Sequence, residues 1–366
     1  MLEFIRIQRF KSLMDASFPL GKLNLFTGLN GMGKSSLIQT LLLLRQSKER
    51  NTLDNKGLLL KGDYVSLGNG QDILSENAEE ETIDFTIVWE GTSPVYFSFL
   101  YAHQSDLQPN NNTVVADLEN RNLFSRNFQY LSADRVSPKP AYDISDYYIK
   151  DLNSLGNHGE YTAHFIAEYG LSSMKIHALK HKKAQSEMLL ENIEKWMAEI
   201  SPGIHIHATM QNATNSVSLG YAFDNGTEMT ADFKPQNVGF GLTFVLPVLT
   251  SILRAAKGDL LIIENPEAHL HPGGQAVLGK LCAIAADNGV QLFIETHSDH
   301  FLNGLRVAVK ENRIDFQDVK LFYLERNPGN IHESIVVSPQ INKDGRISSW
   351  PKGFFDEEDK QLERLL

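Results

Sequence analysis

Residues 28–35 read Gly28-Leu-Asn-Gly-Met-Gly-Lys-Ser35 and have the glycines, lysine and serine of a phosphate-binding loop at the required spacing. Such a loop turns backbone N–H groups toward a triphosphate, while its lysine contacts the outer phosphates and its serine hydroxyl ligates Mg²⁺. The apolar run 23–26 predicts a buried strand before the loop, and 36–45 predicts a helix whose N-terminus favours an anion. A glycine-rich turn without a ligand is the alternative. The residues predicted to contact nucleotide are Asn30, Gly31, Gly33, Lys34, Ser35 and Ser36.

The composition is that of an ordinary soluble globular protein, with 42% hydrophobic and 22% charged residues in a chain of 366. The formal net charge of −11 means that any contact with nucleic acid must be local or shared with a partner. Cys282 is the only cysteine, which excludes an intrachain disulfide and a zinc site built from several thiolates. The sequence has no charged leader and no run of about 18 apolar residues, so we expect a cytoplasmic protein without a membrane span.

Hydrophobic periodicity predicts an α/β fold, because strand-like and helix-like patterns alternate around the loop and again in the last third of the chain. Residues 162–200 have the pattern of an inserted helical unit. Three alternating runs follow at 204–210, 216–223 and 228–233, and Asp224-Asn-Gly226 between the last two is a hairpin signal. Together these patterns predict a mixed α/β fold with an antiparallel β subdomain and a short helical insertion.

Two later strand ends carry polar residues that suit a nucleotide site. Leu260-Leu-Ile-Ile-Glu264 places a carboxylate at the exit of a buried strand, where it can hold the hydration shell of Mg²⁺. Gln291-Leu-Phe-Ile-Glu295 leads to His297, which can donate a hydrogen bond to the γ-phosphate or to the attacking water. A solvated strand end and a structural histidine are the alternatives.

Four blocks of sequence carry a resemblance to a known family. They are Glu3-Phe-Ile-Arg-Ile-Gln-Arg-Phe-Lys-Ser12, the phosphate loop, Glu264-Asn-Pro-Glu-Ala-His-Leu-His-Pro272 and Thr296-His-Ser298. Together they resemble the ABC-type ATPase heads of RecF, SMC and the overcoming-lysogenization-defect (OLD) proteins. Trp350-Pro-Lys-Gly-Phe-Phe-Asp356 resembles the closing motif of predicted ATPases that carry a C-terminal domain of unknown function. Such ATPases are found among bacterial antiphage defence systems, often beside a separate effector.

The resemblance implies a P-loop NTPase whose mixed sheet is like that of an ABC-ATPase head. It also implies a division into four segments. These are an N-terminal ATPase lobe (1–161), a helical insertion (162–201), a C-terminal ATPase lobe (202–318) and C-terminal strands with an aromatic tail (319–366).

The resemblance further implies that two heads sandwich two molecules of ATP with Mg²⁺, which predicts an ATP-dependent homodimer or higher oligomer. Each phosphate loop would face the signature motif of the other subunit. The best signature candidate is Asn237-Val-Gly-Phe-Gly241, which would contact nucleotide through Asn237, Gly239 and Gly241, with Asn237 where a serine is common. Gln71 is the candidate for the glutamine that senses Mg²⁺, beside Ser35 and Glu264. A plain helix start and an exposed turn are the alternatives for these two motifs.

One departure from the family pattern affects the chemistry. These heads usually follow the metal-binding acid with a glutamate that polarises the attacking water, and this chain has Asn265 there. An amide cannot accept a proton as a base. Either Glu267 takes this role, or hydrolysis is slow and the nucleotide acts mainly as an assembly switch. We favour slow turnover, with Glu267 as the residue that assists it. The predicted catalytic residues are therefore Glu264, Glu267 and His297.

Three other groups each have two interpretations. Arg135 either contacts nucleotide or braces the site through Asp134, or it forms a structural ion pair. His269 and His271 are expected to pack at the dimer interface, with a transition-metal site as the weaker alternative. A basic patch predicts either a solvated helix face or a local contact with nucleic acid. Its members are Lys175, Lys180, His181, Lys182 and Lys183.

Three functions compete at this point. The first is an antiphage ATPase subunit that controls a separate effector, such as a nuclease. The second is a RecF-like DNA repair or recombination ATPase, whose hydrolysis DNA should stimulate. The third is a nucleotide-dependent assembly switch with negligible turnover. The resemblance favours the first, by analogy of fold.

Overall fold

Fifteen strands and seven α-helices make up the described part of this computed structural model, residues 1–111 and 118–365. The strands are β1 (Leu2–Phe10), β2 (Leu13–Pro19), β3 (Leu23–Gly28), β4 (Gly57–Leu59), β5 (Thr82–Trp89), β6 (Val95–Leu100), β7 (Leu107–Pro109), β8 (Phe128–Leu131), β9 (Tyr142–Asp143), β10 (Ile204–Gln211), β11 (Ser216–Phe223), β12 (Leu260–Glu264), β13 (Gln291–Glu295), β14 (Val319–Asn327) and β15 (Asn330–Val337). The helices are α1 (Lys34–Glu49), α2 (Thr162–Tyr169), α3 (Leu189–Ala198), α4 (Phe240–Leu253), α5 (Pro272–Asp287), α6 (Asp299–Lys310) and α7 (Glu357–Leu365). Among the helices of this described part, none has both the length and the apolar character needed to span a membrane.

The chain divides into two units. Unit 1 comprises Met1–Ser125, Gln317–Asn342 and Ile347–Leu366, and unit 2 comprises Arg126–Phe316 and Lys343–Arg346. The division into four segments that the sequence suggests stays a prediction.

Unit 1 contains an antiparallel sheet in the order β2-β1-β5-β6. Every second residue of β5 is buried, as expected for a strand with one face on the core. In the second sheet of this unit, β14 pairs with β3 in parallel and with β15 in antiparallel orientation. Phe18, Phe26 and Phe322 pack in its core, with the rings of Phe26 and Phe322 stacked at 5.1 Å. The strand that leads into the phosphate loop is thus buried along its whole length.

Unit 2 contains parallel strands in the order β13-β12-β8. Nearly all their residues are buried, which matches the continuous apolar runs of parallel strands that are covered on both faces. Helices α5 and α6 pack closely, because a Cβ on Gly279 or Gly304 would lie within 2.3 Å of a carbonyl oxygen of the other helix. Strands β10, β11 and β9 form a separate antiparallel sheet.

The mixed α/β fold predicted from the sequence is confirmed, with its antiparallel β subdomain and its short helical insertion. The insertion is less helical than its sequence pattern indicates. Between α2 and α3 the chain forms only a 3-10 helix, His177–Leu179, so the basic patch lies on a loop and not on a helix face. The Met174 N–H donates to the Glu187 carbonyl, and the Glu191 carboxylate accepts N–H bonds from the residues before α3, which fixes where that helix begins.

The run 228–233 is a second departure, because it forms only isolated bridges and not the predicted strand. Phe233 pairs with Tyr221, and Met229 pairs with Asp224. The hairpin turn itself is present, with the Asn225 side chain accepting bonds from Thr227 and Glu228. The whole run is exposed, so it has no buried face to hold it against the sheet.

Candidate functional site

The phosphate loop joins β3 to α1 in unit 1, and its glycines have backbone conformations that side chains disfavour. Gly28, Gly31 and Gly33 have φ values of 144°, 77° and 80°. A Cβ on Gly28 would lie 2.2 Å from the Leu324 carbonyl oxygen on β14, whereas a Cβ on Gly31 would meet no atom within 4 Å. Gly33 caps α1 without a side chain, which leaves the positive end of a 16-residue helix for an anion. The loop therefore fits a phosphate.

Lys34 is the first residue of α1 and its side chain folds back over this loop. Its Nζ donates to the carbonyl oxygens of Gly28 and Leu29, each at 2.9 Å. Only 5% of the residue is exposed. The ammonium group is thus fixed beside the loop backbone, and Ser35 follows it at the start of the helix. Asn30 and Gly31 are exposed, and Ser36 is buried within the first turn.

In unit 2, the carboxyl ends of β8, β12 and β13 meet at one edge of the sheet, which is where ligands bind in open α/β sheets. Glu264 is the last residue of β12. Its carboxylate accepts hydrogen bonds from the Tyr130 hydroxyl at 3.1 Å and from the Ala133 N–H at 3.2 Å. Burial raises the pKa of the Glu264 carboxyl above its usual range, and these two hydrogen bonds oppose that shift.

Arg135 holds the segment that follows β12. Its guanidinium donates to the carbonyl oxygens of Glu264 and Asn265, the latter at 3.0 Å. It is 2% exposed, and burial lowers the pKa of Arg135 to about 10, against the opposing influence of Glu267 and Glu264. Arg135 therefore braces the strand exit through backbone carbonyls, which corrects the interpretation that it acts through Asp134.

Glu267 and His297 are linked at the same edge. One carboxylate oxygen of Glu267, Oε1, accepts a hydrogen bond from the backbone N–H of His297 at 3.0 Å. The other, Oε2, is buried and forms no hydrogen bond within residues 1–111 and 118–365. The His297 residue is exposed. The structure thus brings Glu264, Glu267 and His297 together, and it leaves Glu267 with an unused acceptor.

The signature candidate lies at the N-terminus of α4, also in unit 2. Asn237 and Gly239 are exposed, and Gly239 caps the helix. Gly241 contacts the segment after β12, because a Cβ there would lie 2.5 Å from the His269 carbonyl oxygen. These residues line a surface groove of about 520 Å³ together with His271. Gly239 therefore leaves backbone accessible at the start of the helix, whereas Gly241 allows the helix to pack against the segment after β12.

His269 and His271 do not form a metal site in the described part of the chain, which contains no group of three or more metal-ligating side chains. The His269 ring packs against Phe244 at 4.8 Å and lies near Phe240. The His271 ring caps α5 by accepting the Gly273 N–H at 3.3 Å. Packing and capping account for both rings.

Gln71, in unit 1, is exposed within the 3-10 helix Gly70–Asp72, and its backbone N–H donates to the His103 carbonyl. This is the geometry of the exposed turn that the sequence left as an alternative. Its role as a Mg²⁺ sensor stays a prediction.

With this geometry established, comparison with known proteins identifies the family. Residues 23–303 match the family described as "AAA domain, putative AbiEii toxin, Type IV TA system". The chain belongs to this AAA-domain family. Residues 314–365 match a second family, described as "Protein of unknown function (DUF3696)". No curated protein matches the sequence.

Solved structures of Smc heads share the fold of this AAA-domain protein. The Smc head bound to the C-terminal winged-helix domain of ScpA is 14% identical with a TM-score of 0.54, over 93% of this chain and 98% of the other. The Smc head of Pyrococcus furiosus, solved with an extended coiled coil and bound to the C-terminal domain of ScpA, is 14% identical with a TM-score of 0.50, over 100% and 99%. The ABC-ATPase-head-like P-loop fold expected from the sequence is thereby confirmed.

Sequence reasoning missed Tyr130 and the Ala133 N–H as partners of the predicted metal-binding acid. A signal was present in the run Tyr130–Pro138. There a buried strand, β8, is followed by polar residues and a turn, as β12 and β13 are followed by polar residues. A strand of only four residues, well over a hundred positions upstream, gives no indication of which neighbour it will pair with. The contacts of Tyr130 and Ala133 with Glu264 therefore become visible only in the structure.

Proposed function

We propose that this AAA-domain protein is an ABC-type ATPase that binds ATP with Mg²⁺, hydrolyses it slowly and controls a separate effector protein. The observation that carries the proposal is the strand-loop-helix geometry of residues 28–35, with left-handed glycines and Lys34 held over the loop. The membership of an AAA-domain family and the fold shared with Smc heads support it. The setting that we propose, antiphage defence in the bacterial cytoplasm, rests on the sequence resemblance.

The residues present suit the substrate and its metal. Lys34 and the backbone of residues 30–36 would hold the phosphates, and Ser35 and Glu264 would hold Mg²⁺, with Gln71 as a further proposed contributor. Mg²⁺ supplies charge neutralisation on the phosphate oxygens. Burial raises the pKa of the Glu264 carboxyl because it disfavours the charged form. A cation beside the carboxylate would stabilise that charged form and lower the pKa again.

Glu267 is the proposed base. A base needs a carboxylate oxygen that is not already committed, and Oε2 of Glu267 meets this condition while the bond from His297 fixes the other oxygen. Asn265 cannot serve, since its side chain is an amide. It also has a φ of 44°, which asparagine tolerates better than most residues. His297 is proposed to donate to the γ-phosphate or to the attacking water.

We further propose that ATP drives formation of a homodimer or a higher oligomer. Asn237 and Gly239 are exposed at the N-terminus of α4, and the half-buried Gly241 follows in its first turn, as a signature motif that meets the nucleotide of a second copy requires. Two of the Smc heads with this fold were solved bound to ScpA, which supports a partner protein for this chain as well. The effector is proposed to be a nuclease or another toxic enzyme on its own chain.

A local contact of the basic patch with nucleic acid stays a weaker proposal. Its Lys183 and His181 both contact the Glu199 carboxylate, and the Lys180 ammonium donates to the Gln185 carbonyl. These bonds leave less cationic surface than the sequence suggests, so only a few phosphate contacts would be available there and any binding of nucleic acid through them would be weak.

The test of the proposed function is steady-state ATP turnover by the purified full chain. We expect slow, Mg²⁺-dependent release of phosphate that EDTA abolishes and that duplex DNA leaves unchanged within about twofold, because the contacts of Lys183 and His181 with Glu199 reduce the positive charge of the basic patch. Turnover that duplex DNA stimulates at least ~10-fold would favour the RecF-like repair function instead. Turnover at background level, with ATP still bound, would favour the assembly switch.

A further inference from the structure

A pocket of about 300 Å³ lies in unit 2, beside the loop that connects α2 to α3. None of the residues assigned above to the nucleotide site lines it. Its size is at the lower end of small-molecule sites. The lining residues that matter here are Lys150, Asn153, Phe165, Tyr169, Lys175 and Arg254.

The lining is cationic, although the whole chain carries a net charge of −11. Three of the lining residues are basic, and within the described part of the chain no acidic residue joins them. The Lys150 ammonium is paired with Asp146 at 3.1 Å and Glu168 at 3.4 Å, so its charge is largely balanced. Lys175 is exposed and makes no ion pair to any residue of the ranges 1–111 and 118–365, although Asp259 acts on it through space.

Arg254 is the second cation without a bonded counter-charge. Its guanidinium donates to the Asn153 carbonyl and side-chain oxygens at 2.9 Å and to Gln129 Oε1 at 2.8 Å, all of them neutral groups. Its Nε is buried and makes no hydrogen bond in the described part of the chain. Asp259 influences it only through space, and burial lowers the pKa of Arg254 to about 10. A cation in such surroundings gains from an anion that reaches it.

An aromatic surface lies directly beside this cation. The Phe165 ring centroid is 5.1 Å from the Arg254 Cζ atom, and the Tyr169 ring lies 5.0 Å from the Phe165 ring. Small-molecule sites typically combine such an apolar wall with a few polar groups that fix orientation. The arrangement suits a ligand with a flat ring at one end and an anion at the other.

We propose that this pocket binds a small aromatic phosphate ester, with its phosphate on Arg254 and Lys175 and its ring against Phe165 and Tyr169. A phosphate group fits better than a carboxylate, because it carries close to two negative charges at neutral pH and can contact both of these cations, on which Asp259 acts only through space. The guanidinium also matches phosphate geometry. The ring gains the contact area that a free phosphate ion lacks.

The test uses phenyl phosphate and ligand-observed NMR with full-length Lys34→Met protein, so that the phosphate loop does not contribute. We expect a dissociation constant on the order of 0.1–1 mM, the range for a ligand of this size. Inorganic phosphate and phenol should each bind at least ~10-fold more weakly, since each satisfies one half of the pocket. No binding of phenyl phosphate at about 10 mM, or equal binding of inorganic phosphate, would overturn the proposal.

Variants locate the binding in the pocket. Lys175→Gln should weaken phenyl phosphate about 10-fold, as expected for the loss of one charge-assisted hydrogen bond. Lys182→Gln is the matched control, because Lys182 is an exposed lysine of the same loop that does not line the pocket. Tyr169→Leu should weaken phenyl phosphate and leave inorganic phosphate unchanged. Affinity for phenyl phosphate that is the same in wild type, Lys175→Gln and Tyr169→Leu would contradict the assignment.

Discussion

Replacing Lys34 by methionine is expected to weaken ATP binding at least ~100-fold and to reduce turnover to background. The Lys34 Nζ is 2.9 Å from two carbonyl oxygens of the loop, so its charge stands where the phosphates are proposed to lie. Methionine keeps the length of the side chain and removes the cation together with its charge-assisted hydrogen bonds. Isothermal titration calorimetry with ATP and Mg²⁺ measures the loss.

Lys56→Met is the matched control, because Lys56 is an exposed lysine in the same unit. It should bind ATP as the wild type does, and both variants should unfold within a few degrees of the wild type. ATP affinity of Lys34→Met within about threefold of the wild-type value would contradict the role of the loop.

Replacing Glu267 by glutamine is expected to lower the turnover number by about 10²- to 10⁴-fold, the usual contribution of a general base. ATP affinity should stay nearly unchanged, because the substitution affects the attack on the phosphate and not the binding of it. Glutamine retains an oxygen that can accept the His297 N–H, so the local backbone should hold its conformation. Single-turnover measurement of phosphate release separates this effect from product release.

Two further variants test whether the effect is specific to Glu267. Glu311→Gln, an exposed acid paired with Lys280 in the same unit, should leave turnover unchanged. Asn265→Glu places a carboxylate where the resemblance to ABC-type heads implies one, at the cost of a φ of 44° that glutamate disfavours. Unchanged turnover in both Glu267→Gln and Asn265→Glu would remove Glu267 from the mechanism.

The main motifs could be predicted from the sequence because they depend on local chemistry. A phosphate loop needs glycines with positive φ and a lysine at the start of the helix, and few other residues fit these positions. The motif Gly28-Leu-Asn-Gly-Met-Gly-Lys-Ser35 therefore predicted both the strand before it and the helix after it. The buried run that ends in Glu264 was equally clear, since β12 begins at Leu260 and ends at that acid. Both motifs depend on short-range geometry.

Other features depended on contacts between distant parts of the chain. The Tyr130 hydroxyl bonds Glu264, a residue 134 positions later in the chain, and no local pattern indicates such a pair. The run 228–233 has the alternation of a strand, but all six residues are exposed, so the run has no buried face and forms only isolated bridges. The loop before α3 is similar, since bonds to Glu191 outweigh helix propensity there.

We propose that Lys34, Glu264 and His297 act on one metal-bound nucleotide, and metal-directed cleavage of the backbone tests this proposal most directly. Fe²⁺ replaces Mg²⁺ beside ATP, ascorbate and peroxide are added, and mass spectrometry locates the cuts. The account predicts ATP-dependent cuts near residues 35, 264 and 297 together, all of them absent from Lys34→Met. Cuts confined to one of these segments, or cuts that do not depend on ATP, would contradict it.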